Sequence, residues 1–126
     1  MKYISKEYSQ AQDKAVGASA TATAVSQVFS ITGPGRTNLI VRVKTSSVTS
    51  ATGITFFVQS SMDGLTWRST AKTTTISTNT YYYLTFNIEV SGDQADLPLM
   101  PIAQIVCTTG AGDAVTFDEI YVAQPI

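Results

Sequence analysis

The sequence predicts an all-β fold: an antiparallel, jelly-roll-like β-sandwich of about eight strands with an extended N-terminal arm. Three observations predict it. Apolar and polar residues alternate in several short segments, turn-forming residues separate these segments at regular spacing, and no segment has the periodicity of an amphipathic helix. The 126 residues suffice for one domain with one core. We therefore divide the chain into an arm, residues 1–25, and a single sandwich domain, residues 26–126.

Residues 1–25 lack the alternation that marks the rest of the chain. Charged and small polar residues come first, and the stretch AVGASATATAV follows them. This composition offers few large apolar side chains to a core. We expect an arm that contributes more to contacts with neighbouring molecules than to folding, either disordered or laid as a strand on another surface. A weak helix is the alternative.

Eight segments after residue 26 are predicted to be strands. The first ends at the Gly-Pro-Gly turn of residues 33–35, and the second alternates apolar residues with Arg42 and Lys44, as a half-buried strand does. The loop SSVTSATG separates the second strand from the third, and an Asp-Gly turn separates the third from the fourth. In order, the eight segments are VFSITG, LIVRVK, ITFFVQ, LTWRST, KTTTIST, YYYLTFNIEV, PIAQIVCTT and AVTFDEIYVA.

The last three strands follow the same logic. YYYLTFNIEV has apolar residues at every second position up to Val90, and a loop with two prolines, SGDQADLPLMP, then ends it. A Gly-Ala-Gly-Asp turn precedes the final strand. Asp118 and Glu119 interrupt the alternation between Phe117 and Ile120, which predicts a β-bulge.

The segment SSMDGLTW is predicted to be a structural turn. Gly64 tolerates a positive φ, Asp63 can accept hydrogen bonds from backbone amides ahead of it, and Ser61 can close the turn from the other side. Trp67 then returns to the core or covers the hairpin. A ligand site at these four residues is the alternative.

Three consecutive tyrosines, Tyr81, Tyr82 and Tyr83, begin one predicted strand. Tyr81 and Tyr83 share a face of the strand, and Tyr82 points the other way. Such a group is typical of a subunit interface or of the edge of a core, and aromatic rings can also stack on sugars. Tyr81, Tyr83 and Trp67 are therefore candidate sugar-stacking residues.

Composition excludes several kinds of site. A net charge of −1, with 8 basic and 9 acidic residues, disfavours nucleic-acid binding. Histidine is absent, which removes catalysis and zinc binding based on imidazole. Asp93, Asp96, Asp113, Asp118 and Glu119 lack the spacing of a calcium loop. We predict no enzymatic activity, no catalytic residue, no metal site and no cofactor.

Composition also bears on the reactivity of the cysteine, on membrane segments and on the character of the surface. The single cysteine, Cys107, lies in an apolar run and is predicted to be buried and unreactive. No apolar segment is long enough to span a membrane, and the first residues lack the apolar core of a signal peptide. Thr and Ser make up about a quarter of the chain, whereas charged residues are scarce at 13%. This composition suits a protein that is largely covered by neighbours.

Three segments together carry a resemblance: LIVRVKTSS, the pattern Gln-x-Ser-x-Asp-Gly-x-Thr-Trp that begins at Gln59, and PIAQIVCTTGAGDAVTF. They resemble small β-sandwich virion proteins of tailed bacteriophages. The resemblance implies a non-enzymatic capsid decoration (cement) protein, or a tail or head-fibre component. Its partners would be the major capsid protein, other virion subunits and further copies of the chain. It would be made in the host cytoplasm and located in the virion.

The Ser-x-Asp-Gly-x-x-Trp hairpin, with the strand FFVQSS before it, also resembles discoidin-type galactose-binding-like sandwiches. This second resemblance covers residues 54–123. It implies a carbohydrate-binding module, which we retain as the alternative function.

Overall fold

The computed structural model describes residues 3–7, 22–24, 26–49, 54–108 and 113–125. These residues form two antiparallel sheets packed as a sandwich, so the predicted fold class is confirmed. No helix in the described ranges is long and apolar enough to cross a membrane. The ten strands among the described residues are β1 (Tyr3–Glu7), β2 (Ala22–Ala24), β3 (Phe29–Ser30), β4 (Asn38–Thr49), β5 (Ile54–Ser61), β6 (Arg68–Ser69), β7 (Thr74–Ile76), β8 (Tyr81–Asn87), β9 (Ile102–Thr108) and β10 (Ala114–Pro125).

The strand order is that of a jelly roll. One sheet has the order β1-β10-β4-β8. In the other sheet, β2 and β3 both pair with β9, β9 pairs with β5, and β6 and β7 both pair with β5. Each of these two short pairs occupies one strand position, which gives eight positions in two sheets of four. The chain crosses between the sheets, as it does in a jelly roll.

Apolar side chains from both sheets form one core. β4, β8 and β10 contribute from the first sheet, and β3, β5, β7 and β9 from the second. The alternation predicted for β4 is visible in the structure, because every second residue from Leu39 to Thr45 is buried. The largest fully buried side chains are Phe56, Leu39, Ile54, Ile76, Leu84, Leu99, Ile105, Ile120, Val41 and Val43.

Two described segments of the predicted arm are strands of the sandwich itself. β1 pairs with β10 from Tyr3 to Glu7, and β2 pairs with β9 from Ala22 to Ala24. The expectation of an arm outside the domain is therefore corrected for these two segments. The physical reason is that an edge strand is held by backbone hydrogen bonds, which need no alternation of apolar side chains. The other residues of 1–25 lie outside the described ranges.

Other boundaries differ from the prediction as well. β4 runs on to Thr49, into the predicted loop, because this half of it pairs with the start of β10. β8 ends at Asn87, three residues early, because the backbone turns there: the Val90 amide donates to the Asn87 carbonyl and the Glu89 amide to the Asn87 side chain. The predicted bulge is confirmed, since the register between β10 and β4 shifts between Phe117 and Glu119.

Two short 3₁₀ helices complete the described part, Gly33–Arg36 and Ser91–Asp96. The second lies in the segment between β8 and β9, residues 88–101, which we call the Asp93–Asp96 loop. Arg36 ties the first 3₁₀ helix to the end of this loop, because its Nε donates to the Leu99 carbonyl at 2.6 Å while its own carbonyl accepts the Leu99 amide at 2.7 Å.

Candidate functional site

The turn after β5 is held by a network of hydrogen bonds among its own residues. The Ser61 hydroxyl accepts the amides of Asp63 (3.2 Å) and Gly64 (2.8 Å) and donates to Asp63 Oδ1 at 3.0 Å. The same Oδ1 accepts the amides of Leu65 (2.8 Å) and Thr66 (3.0 Å). Gly64 has a φ of 77°, in the left-handed region that favours glycine. Each of these bonds joins two groups within the turn, so Ser61 Oγ and Asp63 Oδ1 are engaged by the turn itself.

Two further observations describe this hairpin. Hydrogen bonds from the Thr66 and Leu65 amides and from the Ser61 hydroxyl hold the pKa of Asp63 below its usual value. Trp67 is half-buried and lies outside the core cluster, in a shallow groove with Met62 and Met100. Of the two positions expected for its ring, Trp67 thus takes the one that covers the hairpin.

The three tyrosines alternate as expected. Tyr82 points inwards and packs against the core, whereas Tyr81 and Tyr83 are 44% and 55% exposed on the outer side of β8. The Tyr82 hydroxyl accepts the amides of Ser77 (3.1 Å) and Thr78 (2.9 Å). Burial of the hydroxyl raises its pKa, but hydrogen bonds from Thr78 and Ser77 outweigh this effect and lower the pKa of Tyr82 to about 8.

The outer face of the four-stranded sheet gathers aromatic and charged side chains from three neighbouring strands. In the register of the sheet, Tyr121 lies beside Arg42, and Arg42 lies beside Tyr83. One step along, Glu119 lies beside Lys44, and Lys44 lies beside Tyr81. We call these six residues the tyrosine–arginine face: Arg42, Lys44, Tyr81, Tyr83, Glu119 and Tyr121.

Arg42 occupies the centre of this face. Its guanidinium carbon lies 5.0 Å from the ring centroid of Tyr81 and 4.8 Å from that of Tyr121, within cation–π range of both. Its Nη2 lies 3.5 Å from Glu119 Oε2. Lys44 adds a second cation, 5.5 Å from the Tyr81 ring. The two rings and the carboxylate together fix the orientation of the guanidinium.

The face includes a groove and polar atoms that lack hydrogen bonds. The groove has a volume of about 290 Å³ and is lined by Ser5, Ile40, Arg42, Tyr83, Tyr121 and Ala123. Within the described part of the chain, Arg42 Nε and Glu119 Oε2 are buried without a hydrogen-bond partner. Such atoms are uncommon in folded proteins, where buried polar groups are nearly always bonded. The charged pair is thus less fully bonded than the carboxylates of Asp93 and Asp96.

The carboxylates of the Asp93–Asp96 loop are fully engaged. The two oxygens of Asp96 accept the amides of Ala71 (2.8 Å) and Lys72 (3.0 Å). Those of Asp93 accept the Lys72 ammonium at 2.8 Å and the Asn87 amide at 3.1 Å. The hydrogen bond from Lys72 lowers the pKa of Asp93 despite the burial of its carboxyl, with the Asn87 amide acting in the same direction. Among the described residues, no three or more candidate metal ligands lie together.

Cys107 is buried in the core, as predicted. Burial raises the pKa of its thiol to about 12, because a thiolate would lack solvation there. That the thiol is unreactive stays a prediction.

The structure separates one set of residues that the sequence had grouped. Trp67 follows the turn after β5, on the side of the sandwich formed by the sheet that contains β5 and β9. Tyr81 and Tyr83 lie on β8, which belongs to the other sheet. Trp67 and Tyr83 line different grooves, so the three rings do not share one groove. Instead, Tyr83 shares its groove with Tyr121 and Arg42, which the sequence did not single out. The alternation of polar and apolar residues along β4 and β10 places Arg42 and Tyr121 on the faces turned away from the core. Their proximity to Tyr83 depends on the order of the strands, which local sequence patterns do not encode.

Comparisons of the chain with protein-family models, with curated proteins and with solved structures found no match.

Proposed function

We propose that this chain is a non-enzymatic virion structural protein of a tailed bacteriophage, a capsid decoration protein that binds the capsid surface and neighbouring subunits. The observation that carries the proposal is the tyrosine–arginine face. Tyr and Arg are the residue types most enriched at the energetic centres of protein interfaces. Here they cluster on one sheet face, outside the core.

The state of these side chains supports a docking role. Tyr81 and Tyr83 leave about half of their surface exposed, and this surface can be buried by a partner. Arg42 is already fixed between Tyr81 and Tyr121, so its ordering costs little conformational entropy when a partner binds. The face is therefore rigid in its centre and aromatic on its exposed side.

The assignment to a virion has two supports. The strand sequences resemble small phage virion sandwiches, and jelly rolls are a recurrent architecture of viral capsid domains. A surface rich in Thr and Ser, with few charges, suits a protein with extensive neighbours. The genome context is an inexpensive first check: capsid and portal genes beside this gene would support the proposal, and glycoside hydrolase genes would oppose it.

The direct test is co-sedimentation of the purified protein with capsids of the encoding phage that lack it. We expect saturable binding by the wild type. Arg42→Ala and Tyr83→Ala should weaken it at least about tenfold, the usual loss at an interface centre. Thr75→Ala, at an exposed position on the other sheet, is the matched control and should bind normally. Immunogold labelling of intact virions separates the locations: label on heads supports decoration, whereas label on tails would make the chain a tail component.

A carbohydrate-binding module is the second candidate, and the groove of the tyrosine–arginine face favours it. Tyr83 and Tyr121 offer ring faces, and Arg42 and Ser5 offer donors for sugar hydroxyls. Glycan-array screening followed by NMR titration tests this candidate. A sugar that binds the wild type and Tyr83→Phe but not Tyr83→Ala would establish it, because Phe keeps the stacking ring. Capsid binding without any glycan binding would exclude it.

A further inference from the structure

The four-stranded sheet has two edges, β1 and β8. The side of each edge strand that faces away from the sheet can be identified from the hydrogen bonds. At the two ends of the β4–β8 ladder, the Thr45 amide donates to the Thr80 carbonyl and the Ile88 amide donates to the Thr37 carbonyl. The backbone N–H and C=O of one residue point to the same side of a strand, and this side alternates from residue to residue. Odd-numbered residues of β4 therefore bond to β8, and even-numbered residues bond to β10.

The same alternation continues to the other edge. Residues 40 and 42 of β4 pair with residues 123 and 121 of β10. The intervening residues of β10, Val122 and Gln124, must then bond to their register partners in β1, Lys6 and Ile4. The backbone N–H and C=O groups of Tyr3, Ser5 and Glu7 consequently point away from the sheet.

The β8 edge is covered by side chains. The Thr74 hydroxyl donates to the Tyr83 carbonyl at 2.8 Å, and the Lys72 ammonium donates to the Thr85 carbonyl. The Asn87 amide donates to the Asp93 carboxylate. Side chains placed in this way prevent another strand from pairing with the edge.

The β1 edge has no such cover among the described residues. No described strand pairs with its outer side, and Tyr3 and Ile4 are 45% and 60% exposed. Beneath β1 lies a mainly apolar groove of about 320 Å³, lined by Ile4, Lys6, Thr32, Pro34, Val122, Gln124 and Pro125. An open edge strand with exposed apolar side chains is a template for another strand.

We propose that two copies of this chain pair through β1, antiparallel about a two-fold axis at Ser5, and so form one continuous eight-stranded sheet. Only an axis at Ser5 engages all three outward-facing residues of each strand. This register sets Tyr3 opposite the partner's Glu7 and Ile4 opposite the partner's Lys6. No like charges stand opposite each other, and the stem of the partner's Lys6 covers the exposed Ile4. An isologous contact of this kind closes at the dimer.

The pairing has a consequence for the tyrosine–arginine face, and this consequence alone rests on the proposed function. Opposed residues in a sheet point to the same side, so the dimer presents two such faces on one surface. Arg42 lies level with Glu7, and the partner's Arg42 lies level with Tyr3. The two arginines are therefore five strand spacings apart across the sheet, about 24 Å, and four residues apart along it, about 14 Å, which sets them about 28 Å from each other. Two faces held in this way bind a repeating surface with a gain from avidity.

Sedimentation velocity of the full chain, with any tag at the C-terminus, tests the pairing. We expect a reversible dimer of two 13.5 kDa chains. Ser5→Pro removes an outward N–H and leaves the bonds of Ile4 and Lys6 to β10, so it should raise the dimer dissociation constant roughly tenfold or more. Thr85→Pro removes an outward N–H at the β8 edge and should leave dimerisation unchanged. A chain that stays monomeric, or one that dissociates with Thr85→Pro but not with Ser5→Pro, overturns the proposal.

Cysteine cross-linking gives a second readout that does not depend on tolerance of proline. Opposed residues of a hydrogen-bonded pair have Cα atoms about 5.5 Å apart, within the range of a disulfide. Ser5→Cys should therefore form a covalent dimer on mild oxidation, whereas Lys6→Cys, which opposes Ile4, should not. Cys107 is buried, so it should not compete for cross-linking. Equal cross-linking of both variants, or of neither, contradicts the register. Neither experiment involves capsids, so failure of the pairing is distinguishable from failure of the proposed function.

Discussion

The Asp93–Asp96 loop and the tyrosine–arginine face are both rich in polar side chains, but they use them differently. In the loop, all four carboxylate oxygens accept a hydrogen bond from within the molecule. On the face, Arg42 Nε and Glu119 Oε2 have none among the described residues, and two tyrosine rings are exposed. Asp93 and Asp96 therefore serve the structure of the loop. The sheet face, in contrast, retains a buried charged pair with unbonded atoms and exposed rings that a partner can engage.

The largest expected effect is at Asp96. Replacing it by Ala removes the acceptor for the amides of Ala71 and Lys72 and frees the segment before β7. We expect Asp96→Ala to lower the free energy of unfolding by about 2 kcal/mol, as measured by denaturant titration. Asp118→Ala, at an exposed position on β10, is the control and should change it by less than about 0.5 kcal/mol. An Asp96→Ala protein as stable as the wild type would show that the loop is dispensable.

Acid should weaken the same loop through Asp93. The folded-state pKa of this carboxyl lies below the ordinary aspartate value of 3.8, so its contribution to stability is complete above that pH. The contribution disappears as the pH falls through the lowered pKa, when the bond to the Lys72 ammonium is lost. Melting temperature measured against pH should therefore fall below about pH 4. Asp93→Asn should show a shallower fall, and an equally steep one would assign the acid sensitivity to another group, such as Asp63.

The turn after β5 should be more tolerant than the loop. Gly64→Val places a β-branched residue at a φ of 77° and should destabilise the fold by about 1 kcal/mol or more. Gly64→Asn is the matched control, because Asn adopts the left-handed region readily, and it should melt close to the wild type. Neither variant should alter capsid binding. Loss of binding without loss of stability would place a ligand site in the turn.

The sequence predicts the strands well where the side chains alternate and poorly where they do not. β4 and β5, the Asp-Gly turn and the bulge before Glu119 all have local signatures, and the structure has them in place. β1 has no such signature, because Tyr3 to Lys6 are all exposed and the strand is held by its backbone. β8 ends at Asn87 through contacts with residues 89–93, which a pattern of apolar residues does not reveal.

The tyrosine–arginine face was predictable only in part. The exposed pair Tyr81 and Tyr83 follows from the alternation along β8. Arg42 and Tyr121 join them because β4 lies between β8 and β10 in the sheet, with a register that sets all three in one row. Residues about 40 positions apart in the sequence meet there. Long-range strand order is decided by the packing of the whole sandwich, so no local segment carries it.

We expect the smallest effect on stability at neutral pH among the three tyrosines. They also separate a structural side chain from exposed ones within a single strand. Hydrogen bonds lower the pKa of Tyr82 to about 8 from the ordinary tyrosine value of 10.0, so its phenolate forms at a lower pH than that of an ordinary tyrosine. Ultraviolet titration should show one tyrosine ionising near this pH, and Tyr82→Phe should remove that step. Tyr83→Phe is the control and should keep it, because the exposed ring of Tyr83 lies on the other side of the strand.

The sign of the linked change in stability follows from the direction of the shift. A lowered pKa means that the folded state favours the phenolate, so the contribution of Tyr82 is complete above the unfolded value and is lost as the pH falls through about 8. The melting temperature of the wild type should therefore gain on that of Tyr82→Phe as the pH rises from about 8 to about 10. A constant difference over this interval would mean that the amides of Ser77 and Thr78 do not stabilise the phenolate. The stabilisation that Tyr82 provides would then come from the packing of its ring against the core and from hydrogen bonds that hold the neutral hydroxyl as well as the phenolate.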